Sequence, residues 1–281
     1  MRAHWPEYAI EAAGLGAFML VACVFGALLG YPASPVVHAL PDPLARRALM
    51  GVAMGLTAVA LIYSPWGRRS GAHFNPATTL TFWRLGKVQT RDAVAYAAAQ
   101  VTGGLAGVAL AAAVLGSALA HVDVRYVATV PGPSGPAVAF AAEVAMTFVL
   151  MSVILRVSNT AALMRLTGVA AGALVALYIT LEAPISGMSL NPARTLASAV
   201  PAGTWDAFWI YVVAPPLGMV LAAEVYVRRR GALAVYCAKL HHDDGPCVFR
   251  CRFGELRAAR IEHAPPPMPH VSERQIGHPT R

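Results

Sequence analysis

Charged residues are scarce in this sequence. They make up 13% of its 281 residues, whereas an ordinary soluble domain contains roughly 25%. This shortage argues against a soluble single-domain protein. Cysteine is scarce too, because four scattered cysteines are too few for the disulfide framework of a small secreted protein. The sequence also has no glycine-rich nucleotide loop, no nucleophile with a base partner and no chain of carboxylates within its apolar runs, which disfavours an enzyme or a pump.

Apolar residues are abundant instead, at 57% of the chain. A helix needs about 20 apolar residues to cross a bilayer, and six runs reach that length. They lie near residues 8–30, 45–64, 92–116, 137–156, 162–182 and 204–227. The first run is too long for the apolar core of a cleaved signal peptide and has only Arg2 as a basic flank, so we interpret it as a true span.

The distribution of Lys and Arg predicts an orientation, since these residues are enriched in cytoplasmic loops. With both termini inside, the inner side holds Arg2, Arg68, Arg69, Arg84, Lys87, Arg91, Arg156, Arg165, Arg228, Arg229 and Arg230, and the outer side holds Arg46, Arg47, Arg125 and Arg194. We therefore expect a multi-pass protein of the plasma or inner membrane with cytoplasmic termini. Because the basic residues are scattered, the net charge of +8 predicts no nucleic-acid partner.

Two further apolar segments, 75–85 and 191–200, are too short to cross the membrane. Each begins with Asn-Pro-Ala. Asn is a strong helix N-cap, and Pro is favoured at the first helical position, where its missing N–H costs nothing. Both segments are therefore predicted to be short helices.

These two segments belong to an internal repeat. The pattern Ser-Gly-x-x-x-Asn-Pro-Ala occurs at 70–77 and again at 186–193. Three pairs of equivalent residues flank the two copies: Glu11 and Glu143, Tyr96 and Tyr211, and Gly103 and Gly218. Since each half has three spans, the second half must enter the membrane from the opposite face, which makes the repeats inverted.

Inverted halves bring the two short helices in from opposite sides, with their N-termini near the midplane. Irregular backbone at that depth must be buried in protein or line a water-filled cavity, so the pattern predicts a pore. We expect four regions: a first repeat at 1–116, an extracellular loop at 117–136, a second repeat at 137–228, and a basic cytoplasmic tail at 229–281.

On these paired motifs the sequence resembles the aquaporin and glycerol-facilitator family, also called the major intrinsic proteins. The motifs are Ser-Gly-Ala-His-Phe-Asn-Pro-Ala at 70–77 and Ser-Gly-Met-Ser-Leu-Asn-Pro-Ala-Arg at 186–194. The resemblance implies an all-α membrane fold of six transmembrane helices and two re-entrant half-helices. It further implies a homotetramer with one pore per subunit, passive flux of water and small uncharged solutes, and exclusion of ions and protons. It implies no cofactor.

The first candidate site residues are the two motifs themselves, Asn75, Pro76, Ala77, Asn191, Pro192 and Ala193. The Asn side-chain amides can donate hydrogen bonds to a passing oxygen. Simple helix capping is the alternative interpretation.

Arg194, after the second motif, is the next candidate, since a guanidinium near hydrocarbon usually faces a cavity. The alternative is an interfacial arginine that reaches the membrane surface. The resemblance makes Arg194 one wall of the narrowest constriction. By spacing from the motif, it makes Ile179 and Met188 two further walls, and Met54 or Gly55 the fourth. Ile179 and Met188 could instead face lipid or the core.

Selectivity stays open at this point. The strict water-channel pattern has His where Ile179 stands, so the constriction is expected to be more apolar here. An apolar wall opposite Arg194 suits glycerol, urea or neutral metalloid acids, whereas the bulk of Met188 could narrow the passage to water. A structural or junctional membrane protein with a closed pore is the rival interpretation.

Three titratable groups complete the candidate site. Glu11 and Glu143 lie within spans, where carboxylates are costly. The resemblance implies that they accept hydrogen bonds from the re-entrant loops, with a proton relay as the alternative. His73 is expected at the inner mouth, where it would offer its carbonyl or ring to water or sense pH.

The tail beyond residue 228 changes character. It carries Cys237, His241, His242, Cys247 and Cys251. These residue types ligate zinc, but their spacing fits no standard zinc motif. We therefore assign no metal and expect an ordered extension to about residue 260 with a disordered end. A channel gated by this tail through metal or redox chemistry is the second rival.

Overall fold

The computed structural model of the chain describes residues 4–243, 245 and 247–262. These residues form helices and loops, with no strand among them. We number the main helices α1 Trp5–Gly30, α2 Pro43–Tyr63, α3 Pro76–Arg84, α4 Thr90–Leu115, α5 Pro136–Ser158, α6 Thr167–Leu181, α7 Pro192–Ala202, α8 Trp209–Arg230 and α9 Phe253–Glu262. Arg2 and the predicted disordered end beyond 262 lie outside the described residues.

Six helical segments are long and apolar enough to cross a membrane: α1, α2, α4, α5, α8 and the 18 residues Met164–Leu181, which include α6. The all-helical fold with six spans is therefore confirmed. The boundaries differ from the predicted ones by a few residues. The starts of two helices differ by five residues: α6 begins at Thr167 rather than near 162, and α8 begins at Trp209 rather than near 204. Before α8, residues 205–208 form a turn.

The long helices pack in pairs through glycines that let backbones approach. A Cβ added to Gly103 of α4 would lie 1.9 Å from the carbonyl oxygen of Ala12 in α1. A Cβ on Gly218 of α8 would lie 2.3 Å from the carbonyl oxygen of Val144 in α5. Small residues at such crossings are typical of membrane helices, which gain stability from close contact rather than from burial.

The short helices α3 and α7 contain nine and eleven residues, so neither can cross the bilayer. Each starts with Pro at its first turn and is capped by the preceding Asn, whose side chain accepts a hydrogen bond from the helix backbone. Both helices pack against α4 and α8, which places their N-termini inside the helical bundle.

After α8 the chain turns back onto the bundle. Residues 235–252, which we call the tail segment, have no regular helix or strand at the positions described. Val235, Ala238, Leu240 and Phe249 of this segment are nevertheless buried. The tail segment is therefore packed against the bundle as part of the folded structure.

Candidate functional site

The two Asn-Pro-Ala motifs meet through their asparagines. Nδ2 of Asn75 donates to the carbonyl oxygen of Leu190 at 2.8 Å, and Nδ2 of Asn191 donates to the carbonyl oxygen of Phe74 at 2.8 Å. Each amide therefore bonds to the residue that precedes the other asparagine. Since an amide nitrogen carries two hydrogens, this leaves one donor on each side chain beyond the cross-link.

Glu11 holds the first loop, which we define as residues 71–75. Its carboxylate accepts hydrogen bonds from the backbone N–H of His73 at 3.1 Å and of Phe74 at 2.6 Å. It also accepts from the Ser70 hydroxyl at 2.7 Å and from Nε2 of Gln100 at 2.7 Å. These contacts satisfy backbone donors that would otherwise be unpaired at membrane depth.

Glu143 holds the second loop, residues 187–191, in the same way. It accepts from the backbone N–H of Ser189 at 2.6 Å and of Leu190 at 2.8 Å, and from the Ser186 hydroxyl at 2.9 Å. Both glutamates are completely buried. The two carboxylates thus occupy equivalent places and make equivalent bonds.

Two contacts that sequence reasoning did not assign complete this pattern. The Tyr96 hydroxyl donates to the carbonyl oxygen of Ser70 at 2.7 Å, and the Tyr211 hydroxyl donates to that of Ser186 at 2.5 Å. Both tyrosines and both serines were visible as members of the repeat. Their duplication was the signal that could have assigned them to loop support.

The loop backbones are strained in the same positions. Ala72 and Phe74 have φ of 57° and 45°, and Met188 and Leu190 have φ of 50° and 57°. Such left-handed conformations cost non-glycine residues of order 1–3 kcal/mol each and persist only where the surroundings fix them. The glutamate and tyrosine anchors provide that fixation.

A single cavity of about 280 Å³ runs past both motifs. Seven of the predicted site residues line it: Met54, His73, Asn75, Ile179, Met188, Asn191 and Arg194. Leu240 of the tail segment also lines it. We call the end near Leu240 and His73 the tail end, and the end near Arg194 the arginine end.

The two candidates for the fourth wall, Met54 and Gly55, have different surroundings. Met54 lines the cavity, whereas Gly55 packs against α6, where an added Cβ would lie 2.6 Å from the carbonyl oxygen of Gly172. The two candidates lie on different faces of α2. Gly55 therefore serves helix packing.

The guanidinium of Arg194 reaches the cavity with unused donor capacity. Its Nη1 is shielded from solvent and has no hydrogen-bond partner among the described residues. A buried donor of this kind is costly unless it finds an acceptor. The arginine end thus presents a charged donor to whatever occupies the cavity.

His73 lines the tail end, but its ring is already engaged. Nε2 lies 2.9 Å from the carbonyl oxygen of Ala238, and Nδ1 lies 3.0 Å from the Thr79 hydroxyl. The ring stacks between Phe82 and Phe249 at 5.3 Å from each. His73 was expected to offer its carbonyl or its ring to water. Both ring nitrogens have protein partners, one of them Ala238 of the tail segment, so the carbonyl is the alternative that remains.

Four tail residues come together away from the cavity wall. The ligand atoms of Cys237, His242, Cys247 and Cys251 all lie within 4.8 Å of one another. His241 is not in this group and instead contacts the Tyr63 ring at 4.7 Å. Hydrogen bonds from Cys237 and Cys247 hold the pKa of the Cys251 thiol well below its ordinary value.

The profile of the family "Major intrinsic protein" matches residues 5–226, which covers all six spans and both short helices. The chain belongs to the major intrinsic protein family. With six apolar spans, it is accordingly an integral multi-pass membrane protein.

Individual relatives agree with this family. The chain is 39% identical over 129 residues to "Aquaporin NIP1-3" of Oryza sativa subsp. japonica, which is 46% of this chain and 43% of the relative. It is 43% identical over 100 residues to "Aquaglyceroporin AqpS" of Rhizobium meliloti (strain 1021), which is 36% of this chain and 40% of the relative. The chain thus spans less than half the length of these two curated relatives.

A solved structure shows the same fold over a larger share. The aquaglyceroporin from Plasmodium falciparum has a TM-score of 0.69 with 22% identity, covering 83% of this chain and 99% of that chain.

Proposed function

We propose that the chain is a passive channel for water and small uncharged solutes such as glycerol. One observation carries this proposal: a single cavity is lined by both motif asparagines and by Arg194. The family and the names of its relatives, an aquaporin and an aquaglyceroporin, support the same function.

The selectivity of this channel follows from fixed donors. The helix N-termini carry a positive partial charge of about half an elementary charge each, and the remaining amide hydrogens of Asn75 and Asn191 lie beside them. Water oxygens turn toward these donors. A file of water oriented in this way opposes proton hopping, and the positive potential opposes cations.

The proposed constriction combines the charged side chain of Arg194 with apolar side chains. Ile179, Met188 and Met54 line the same cavity. We propose that these four side chains form the selective constriction. An apolar surface opposite a charged donor suits a solute that has a hydrocarbon side and hydroxyl groups, such as glycerol. It also suits small neutral species such as urea or undissociated metalloid acids, alongside water.

The orientation and assembly complete the proposal. The excess of Lys and Arg on one side favours cytoplasmic termini in a plasma or inner membrane, so the tail end of the cavity would face the cytoplasm.

The exposed apolar side chains suit contact with lipid or with neighbouring subunits of a homotetramer. Leu110 and Val114 of α4, for example, are 55% and 74% exposed. Solute moves down its gradient, and no chemical step is needed.

Flux through one purified preparation tests this function. The protein is treated with a chelator to remove bound metal and is reconstituted into vesicles. The water permeability of the vesicles is measured from their osmotic shrinkage, and their glycerol and urea permeabilities are then measured in turn. We expect water flux above that of empty vesicles, with a weak temperature dependence. Flux equal to empty vesicles for every solute would support the rival, a structural membrane protein with a closed pore.

A further inference from the structure

The four-residue group in the tail has no role in the pore described above. Its members are separated by up to 14 positions in sequence, yet three sulfur atoms and one imidazole nitrogen converge within 4.8 Å. Three Cys and one His form a common ligand set of structural zinc sites.

Two distances within the group lie near those of tetrahedral coordination. Sγ of Cys237 lies 3.6 Å from Sγ of Cys247, and Nε2 of His242 lies 3.1 Å from Sγ of Cys251. A tetrahedral zinc ion with Zn–S bonds of about 2.3 Å separates its sulfur ligands by about 3.8 Å. The observed separations therefore need only small shifts to accept the ion.

The surroundings of the ligands are also those of a metal site. The imidazole of His242 directs Nε2 into the group, and its Nδ1 contacts the carbonyl oxygen of Asp243. Metal-ligating histidines use their second nitrogen in this way to fix the ring. The backbone N–H of Phe253 lies 3.4 Å from Sγ of Cys251, and the Phe253 ring stacks on His242 at 4.0 Å.

The tail segment needs a stabilising element of this kind. It lacks regular secondary structure at its described positions, although it buries several apolar side chains. An irregular segment gains few backbone hydrogen bonds of its own, and metal binding is a common source of the missing folding free energy.

The segment also occupies the tail end of the cavity. The N–H of Leu240 donates to the carbonyl oxygen of Gly71 at 3.1 Å, and the N–H of Arg250 donates to that of Lys87 at 2.9 Å. Phe249 stacks on His73, and Leu240 lines the cavity itself. A ligand that stabilises the tail segment would therefore also hold Leu240 at the tail end of the cavity.

We propose that Cys237, His242, Cys247 and Cys251 bind one divalent metal ion of the zinc class, and that this ion holds the tail segment across the tail end of the cavity. The first part is independent of transport. The second part rests on the proposed channel function.

Metal content tests the first part. The full-length protein, purified without chelator and loaded with Zn²⁺, should carry about one ion per chain. Cys247→Ser and His242→Ala should weaken Zn²⁺ binding by at least about 100-fold, since loss of an outer partner alone costs up to that factor. Cys23→Ser and His241→Ala are the matched controls, and both should keep the ion.

A second measurement covers the case in which the ligand variants fail to fold. Co²⁺ added to the wild-type protein should give the intense visible absorption of a tetrahedral cobalt–thiolate site, and Zn²⁺ should abolish it. Absence of this spectrum would overturn the site. So would an intact mass lower by two hydrogens with no metal bound, since it reports a disulfide in place of two of the thiols.

Water flux tests the second part. Removal of zinc from wild-type vesicles should raise water permeability several-fold, and Cys247→Ser should already show the raised value and no response to chelator. Equal permeability with and without zinc, both above empty lipid, would overturn the cover while leaving the channel intact. Permeability equal to empty lipid in both states would instead reject the channel function itself.

Discussion

The first and second loops are held by the same hydrogen-bond pattern, which we call the scaffold, but the residues at the two ends of the cavity differ. In each loop a buried glutamate accepts two backbone N–H groups and a serine hydroxyl, and an asparagine bonds across to the other loop. At the first loop, however, the side chain facing the cavity end is His73, which the tail segment covers. After the second loop, in the first turn of α7, Arg194 lines the cavity and its Nη1 has no hydrogen-bond partner among the described residues.

This comparison separates the residues that have a counterpart in the other half of the repeat from those that do not. Paired residues hold the irregular backbone in place, because that problem is identical in both halves. Residues without a counterpart in the other half differ because, in the function proposed above, the two mouths have different tasks: Arg194 would contact the solute, and the tail segment would cover the opposite end. The following predictions examine the shared scaffold first and then each difference.

The largest effect is expected from removing an anchor. Glu143→Ala leaves the N–H groups of Ser189 and Leu190 without partners, and each unsatisfied buried donor costs roughly 1–3 kcal/mol. We expect loss of water flux and a lower unfolding temperature in detergent. Glu11→Ala should be at least as harmful, because Glu11 also bonds to Gln100.

Glu224→Ala is the matched control for these anchors. Its carboxylate is partly exposed and pairs with Arg84 at 2.7 Å, and exposed pairs contribute about 0–1 kcal/mol. This variant should keep its flux and its unfolding temperature. If Glu143→Ala behaves like Glu224→Ala, the second loop does not depend on its anchor and the scaffold interpretation is wrong.

The next effect concerns the arginine end. Arg194→Ala removes the charged donor from the cavity, so we expect water flux to persist while glycerol flux rises and a cation leak appears in vesicles with an imposed ion gradient. Arg46→Ala is the control, because Arg46 contacts the carbonyl oxygen of Leu40 and is not among the residues that line the cavity. Unchanged ion exclusion in Arg194→Ala would remove this residue from the filter.

A smaller effect is expected at the tail end. Phe249→Ala removes the ring that stacks on His73 and contacts Tyr96 at 6.0 Å, which loosens the cover and should raise water permeability of the zinc-loaded protein. Phe140→Ala, which removes a ring from a contact with Trp209 elsewhere in the fold, provides the comparison. A rise in both variants or in neither would show that the Phe249 contact does not control the mouth.

The smallest effect is a change of preference between solutes. Ile179→His adds a polar wall to the constriction, so the ratio of water to glycerol flux should increase while total activity stays similar. Ile179→Leu keeps the wall apolar and should leave the ratio near the wild-type value. An unchanged ratio in Ile179→His would place the selective contact elsewhere.

The scaffold could be predicted from the sequence because it is local and repeated. Apolar run length fixed the six spans, and Asn followed by Pro fixed the starts of α3 and α7. The contacts of His73 were not predictable, because Ala238 is 165 positions away and belongs to no motif. The choice between Met54 and Gly55 depended on the rotation of α2 against α6, which spacing from a motif does not determine.

The group of Cys237, His242, Cys247 and Cys251 was not predicted from the sequence, for a related reason. Its cysteines, Cys237, Cys247 and Cys251, are ten and four positions apart in the sequence, which fits no standard zinc motif. Residue types indicated metal ligands, but only the folded path brings Cys237 back to Cys251 and leaves His241 out.

The most direct measurement is the osmotic shrinkage rate of vesicles containing the full-length protein, recorded with zinc bound and again after chelation. If α3 and α7 flank a water-filled pore that the tail segment covers, vesicles with the chelated protein have a water permeability well above that of bare lipid. Vesicles with the zinc-loaded protein then have a lower permeability than those with the chelated protein. Shrinkage at the bare-lipid rate in both states would contradict the central claim.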